Sequence, residues 1–264
     1  MHRLVSLLAV VASSTCAIVI AQDALPSPFN SGQVRFVDLG LPLSDKSPFW
    51  PGENYAPFKL ETIATLEKDG VLSKAFSMPE HLGTHIDAPN HFEGNRPAVD
   101  QIPAEQLFGP GVMIDIAVKC EMDPDTMLTV ADIADWEKTN GPIPKGAIVL
   151  LHTGWGRHVA NAPRYQNRDV MGKMHFPGFS AEAADWLVRE RDIRGIGLDT
   201  MSIDRGLSTK FEVHHLINKA GRYGLENVAH LDQLPPKGFG LIVAPIKIQS
   251  GTGGPTRIWA VMNR

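Results

Sequence analysis

Ser180-Ala-Glu-Ala-Ala-Asp-Trp-Leu-Val-Arg-Glu190 and, after four intervening residues, Gly195-Ile-Gly-Leu-Asp199 form a helix pattern running into a strand pattern. Ser180 is placed to cap the helix, with Glu182 and Asp185 in its early turns, where acidic side chains favour the exposed amides. The apolar run that follows is short and glycine-flanked, as a buried strand is. The same alternation recurs along the chain. Strands are expected at Val34–Leu39, Gly111–Ile116, Ala147–His152, Gly240–Pro245 and Arg257–Met262. Helices are expected at Val130–Lys138, with Asp132 in its first turn, and at Phe211–Ala220, stopping at Gly221. Strands and helices interleave without a repeat period, so the fold class is α/β in one domain.

Composition sets the limits. The 264 residues are 43% hydrophobic and 20% charged, an ordinary globular balance. The net charge of −4 and the lack of any Lys/Arg block argue against a nucleic-acid partner, which needs a clustered positive surface. Residues 1–21 read as a signal peptide: Arg3 supplies the positive start, an apolar stretch follows, and Val19 and Ala21 precede a cleavage point before Gln22. The expected location is therefore secreted or otherwise extracytoplasmic, with no membrane attachment after cleavage. Losing Arg3 takes the net charge to −5, and losing Cys16 leaves Cys120 alone, so no internal disulfide is expected. Cys120 is read as a structural residue at a strand end. Residues 22–33 are a Pro/Ser/Asn/Gly-rich leader, and residues 34–264 form the domain.

The densest chemical signal is His81-Leu-Gly-Thr-His-Ile-Asp-Ala-Pro-Asn-His-Phe92. His85 and Asp87 are two apart, so an extended backbone points both side chains to one face. Gly83 and Thr84 let the chain turn so that His81 reaches the same point. Two imidazoles and a carboxylate suit a divalent ion such as zinc or manganese, with positions left for water. Such an ion lowers the pKa of bound water from ~15.7 toward ~7. His91, set apart by the rigid Ala88-Pro89 turn, is the candidate proton carrier.

His81-x-Gly-Thr-His-x-Asp-x-Pro-x-His-Phe92 resembles the signature of the cyclase-like metal hydrolases, the group holding kynurenine formamidases and isatin hydrolases. Val37-Asp-Leu, Leu43-Ser, Pro48–Gly52, Gly197–Asp204, Val213-His214, Leu225–Asn227 and Gly253–Arg257 look like further segments of that family, spanning Val37 to Met262. The isatin-hydrolase side is favoured on Ser202–Asp204 and Glu226-Asn227. The resemblance implies a swivelling β/β/α domain with a central mixed sheet, assembled as a homodimer or larger. It implies His81, His85 and Asp87 as ligands of a first metal and His91 as the proton shuttle. His214 and Glu226 match positions that, with Asp87, complete a second metal site, so one or two ions are expected. Trp50 matches a substrate-contacting aromatic. The implied activity is hydrolysis of an amide C–N bond in a small aromatic or cyclic molecule such as isatin or N-formylkynurenine.

Read without the resemblance, Val213-His214-His215-Leu216 is an amphipathic turn, Glu226 is either a ligand or an acceptor for His214, and Phe49-Trp50-Pro51 is equally a packed aromatic corner. His152, His158, His175 and His230 lack partners at useful spacing and read as ordinary core or surface histidines. No Gly-x-Ser-x-Gly elbow occurs, and Gln249-Ser-Gly-Thr-Gly-Gly254 lacks the Lys-Ser/Thr ending of a phosphate loop. Its glycines are expected to let backbone approach the metal site or a neighbouring subunit. A non-catalytic metal- or small-molecule-binding protein on the same scaffold is the alternative. An intact His91 speaks against it, because a binder has no use for a proton shuttle.

Overall fold

Strands whose two faces are both covered carry apolar side chains at every position, and the middle of this chain is built that way. A computed structural model describes residues 33–264, of which Val34–Arg264 form one unit; the expected signal peptide and all but the last residue of the expected leader lie outside the described residues. The first elements are β1 (Val34–Asp38), β2 (Lys59–Ala64), α1 (Leu66–Asp69), β3 (Ser73–Ser77) and β4 (His85–Asp87). Next come β5 (Phe108–Asp115), α2 (Ala117–Met122), β6 (Met127–Leu128), α3 (Val130–Asn140), β7 (Ile148–His152) and α4 (Ala162–Gln166). The chain continues through β8 (Gly178–Phe179), α5 (Ala181–Arg191), β9 (Gly195–Leu198), α6 (Glu212–Lys219), β10 (Tyr223–Glu226), β11 (Phe239–Pro245) and β12 (Gly253–Asn263).

Eight strands form one mixed sheet in the order β1-β12-β11-β5-β7-β9-β10-β4, as the α/β reading with a central mixed sheet expects. The strands from β5 through β7 and β9 to β10 are parallel; the others pair antiparallel. β12 is long enough to use one edge twice. Its Gly253–Pro255 segment pairs with β4, and its Trp259–Asn263 segment pairs with β1. The β12–β4 pairing closes seven strands into a barrel-like ring.

Side-chain alternation divides the core in two. Ile148 and Leu150 of β7, Tyr223 and Leu225 of β10, Leu241 and Val243 of β11, and Ile258 and Ala260 of β12 share one cluster. Val149 and Leu151 of β7 point the other way and join Ile133 of α3, Ala184 and Leu187 of α5, and Ile217 of α6. Gly195 makes room inside the ring: a Cβ there would lie 2.4 Å from the Tyr223 ring.

The expected helices are present with their caps. Ser180 accepts from the Ala183 amide, and Thr129 and Asp132 form a reciprocal capping box. α6 ends just before Gly221, whose φ is 71°. One local expectation is corrected. Cys120 lies in α2, not at a strand end; burial pushes its thiol up to about 12, which agrees with a structural role.

Candidate metal centre

β4 is three residues long, all buried, and is held on both edges: Glu226 of β10 faces His85, and Gly253 of β12 faces Asp87. The two-residue spacing turns His85 and Asp87 to one side. Gly83, at φ 65°, turns the chain so that His81 arrives beside them. His81 Nδ1 lies 2.6 Å from Asp87 Oδ1, and His85 Nε2 lies 3.3 Å from the same oxygen. His214, on the buried face of α6, places Nε2 3.4 Å from Asp87 Oδ2 and 3.2 Å from Glu226 Oε1. Glu226 Oε2 is 3.4 Å from His85 Nε2. Two overlapping sets result, His81–His85–Asp87 and Asp87–His214–Glu226, each with donor atoms within 4.8 Å of one another.

The outer nitrogen of each imidazole is committed elsewhere, which leaves the inner one facing the carboxylates. His85 Nδ1 donates to the Gly83 carbonyl at 2.9 Å. His214 Nδ1 meets Asp204 Oδ2 at 2.7 Å. His81 Nε2 lies 3.0 Å from the Thr252 hydroxyl. This is how imidazoles that bind metals are oriented. The inner side fits a cation for a second reason: His85 Nε2 and Asp87 Oδ2 are buried without a hydrogen-bond partner. Buried polar atoms left so are costly unless something fills the gap. Asp204 takes the orienting part for His214, while Glu226 faces the inner nitrogen and also accepts from the Ile203 amide.

Electrostatics follow from this crowding. Burial alone would raise Asp87, but the surrounding imidazoles His85, His214 and His81 hold its carboxyl well below the usual range. Burial would lower His85, yet Asp87 and Glu226 outweigh it and hold the ring up at about 10. His91 has no such relief. Burial first, and then the neighbouring imidazoles, push it down to about 3 against the pull of Asp87. It stacks on His81 at 3.9 Å between centroids, and neither of its ring nitrogens has a hydrogen-bond partner among the described residues.

A cavity of about 360 Å³ opens over the cluster. Its walls are Phe49, Trp50, Tyr55, Phe92, Met201 and Phe211, and Trp50 meets Phe211 edge-on at 5.7 Å. The structure thus brings together His81, His85, Asp87, His91, His214, Glu226 and Trp50. It leaves out the four histidines read as ordinary. His152 and His175 sit beside surface carboxylates, and His215 pairs with Glu93. Asp204, Glu80, Thr252 and the Phe92–Phe211 wall carry no role in the sequence pattern, because the partners that give them one, such as Thr252 for Glu80 and Phe211 for Phe92, are met only in the tertiary fold. Gly253 does what the glycine-rich segment led one to expect: a Cβ there would lie 2.5 Å from His81 Cε1.

With the geometry known, comparison with other proteins gives a consistent result. The Cyclase family model matches residues 37–205. An isatin hydrolase from Roseibium aggregatum is 30% identical over 257 residues, 92% of this chain and 97% of the relative. A kynurenine formamidase from Bacillus cereus is 30% identical over 224 residues, 84% of this chain and 95% of the relative. Isatin hydrolase A from Ralstonia solanacearum has a similar structure, with TM-score 0.86 at 35% identity, covering 96% of this chain and 100% of that one.

Proposed function

The chain belongs to the Cyclase family, and from that membership we propose that it is a metal-dependent hydrolase opening the amide C–N bond of a neutral, planar aromatic lactam such as isatin. The observation that carries this reading is the convergence of three imidazoles and two carboxylates under an aromatic-walled cavity. His81, His85 and Asp87 would hold one divalent ion, zinc or manganese; Asp87, His214 and Glu226 are suited to hold a second. When bound there, such an ion polarises a carbonyl oxygen and makes a nearby water more acidic.

The protein's own groups supply the rest. Trp50, Phe92 and Phe211 pack on one another to form an apolar wall against which a flat ring would lie away from water. His91 stacks on His81 at the cavity wall facing the cluster, and with no hydrogen-bond partner among the described residues a ring nitrogen is free to take a proton from the attacking water. The water oxygen bonds to the amide carbon, the C–N bond breaks, and His91 returns the proton to the leaving nitrogen. Among the lining residues there is no Lys or Arg. A zwitterion such as N-formylkynurenine would therefore bring its carboxylate to a wall with no cationic side chain to pair with it, whereas isatin carries no charge.

The non-catalytic alternative gains nothing from the geometry, since His91 sits on the cavity wall facing the cluster. A homodimer is part of the same reading, supported by the apolar residues that the β2–β3 hairpin leaves exposed. The test is hydrolysis of isatin and of N-formylkynurenine by wild type and His91→Ala. The expected result is faster turnover of isatin, falling by ~10² or more in the variant while metal content is kept. Full turnover in the variant would remove His91 from the mechanism, and preference for the formamide would overturn the lactam assignment.

A further inference from the structure

His81 differs from the other two imidazoles in how its outer nitrogen is held. His85 uses a backbone carbonyl and His214 a carboxylate, both acceptors by nature. His81 Nε2 faces a hydroxyl, Thr252 Oγ1, at 3.0 Å. A hydroxyl can donate or accept, so by itself it leaves the tautomer of His81 open. Glu80 removes that freedom. Its Oε2 accepts the Thr252 hydroxyl proton at 2.6 Å and the Thr252 amide at 3.0 Å. With its only proton committed to Glu80, the Thr252 oxygen can only accept, and the partner it accepts from is Nε2–H of His81.

We propose that Glu80 and Thr252 form a positioning relay that keeps the proton of neutral His81 on Nε2 and so reserves Nδ1 for the metal. The inference rests on the metal reading of His81, His85 and Asp87. Nδ1 is the nitrogen turned inward, 2.6 Å from Asp87 Oδ1. Without the relay, neutral His81 is free to keep its proton on Nδ1, bonded to Asp87, with the lone pair facing Thr252. A cation would then have to pay for moving the proton before it could use that nitrogen. Local packing is shaped around the relay. A Cβ at Gly251 would lie 2.8 Å from Glu80 Oε1, and one at Gly253 would lie 3.1 Å from His81 Nδ1, so both flanking positions leave room for these two side chains. Val99 and Ala88 bond to the carbonyls of Gly251 and Thr252 and fix the loop that carries the hydroxyl.

The test is zinc affinity, measured by competition with a chromophoric chelator, for wild type, Thr252→Val, Thr252→Ser and Glu80→Leu. Circular dichroism checks that each variant is folded. Valine keeps the volume and a methyl but loses the hydroxyl; serine keeps the hydroxyl but loses the methyl. The relay therefore predicts that Thr252→Val and Glu80→Leu weaken zinc binding by ~10- to 100-fold, the usual effect of losing a partner of a ligand, while Thr252→Ser stays near wild type. A purely structural role of Thr252 predicts the reverse order. Unchanged affinity in Thr252→Val, with zinc bound normally by wild type, overturns the relay and leaves the metal site standing. Absence of zinc binding in wild type overturns both.

Discussion

His85 and His214 carry their charge because carboxylates crowd them, and this couples metal binding to pH. In the metal-free protein, burial would lower both rings. Asp87 and Glu226 nevertheless hold His85 at about 10, and Asp204, Asp87 and Glu226 hold His214 well above its usual value. The carboxylates thus favour the protonated form of both rings, and a cation must displace those protons to reach the nitrogens. Zinc affinity should rise with pH between 6 and 8, by about tenfold per pH unit for each proton displaced. Titration calorimetry in buffers of different ionisation enthalpy measures the released protons directly. Binding that is independent of pH, with no proton release, would mean that these imidazoles are not the ligands.

At the scale of the element, the site depends on how short β4 is and how firmly its neighbours grip it. Three residues deliver His85 and Asp87, and β10 and β12 close on either side. Gly253→Ala would press a methyl to within 2.4 Å of the Ile86 carbonyl oxygen and 2.5 Å of the His81 ring. Overpacking of this kind costs about 1–3 kcal/mol, so urea denaturation should show lower stability together with weaker metal binding. An alanine variant equal to wild type in both would show that the backbones are not held so closely. The same element explains what could be read from the sequence. His81 to His91 lie in one segment, so spacing alone brings their chemistry together, and the α5–β9 pattern with Ser180 as cap announces the α/β class. Asp204 lies ten residues before His214, and Thr252 lies 171 residues after His81. No periodicity links such pairs: Asp204 meets His214 because its carboxylate also accepts the Val213 and His214 amides at the start of α6, and Thr252 meets His81 because β12 pairs with β4. The β2–β3 hairpin was equally hard to foresee, because its apolar residues are not turned into the core.

Across the whole molecule, closure of the ring by β12 and β4 puts His85, Asp87 and Glu226, three of the proposed metal ligands, at the seam, where strands from both halves of the chain meet. Among the described residues, no helix is long and apolar enough to cross a membrane. Among the described residues, the β2–β3 hairpin is one part that leaves apolar side chains uncovered. Leu60 faces Phe76 across the hairpin, Phe58 stacks on Phe76 at 6.0 Å, and Leu60, Ile63 and Phe76 are each more than half exposed. A two-stranded hairpin with such a surface is marginal alone. Sedimentation should therefore find a dimer, and Leu60→Ser with Phe76→Ser should shift it toward monomer; a wild-type monomer would refute the dimer. Whether this seam binds metal is read from elemental analysis of the purified wild type beside His85→Ala. Zinc or manganese is expected in stoichiometric amount in the wild type and is expected to be lost from the variant. A wild type that takes up no metal even after reconstitution, or a variant that keeps a full complement, would contradict metal binding at this seam.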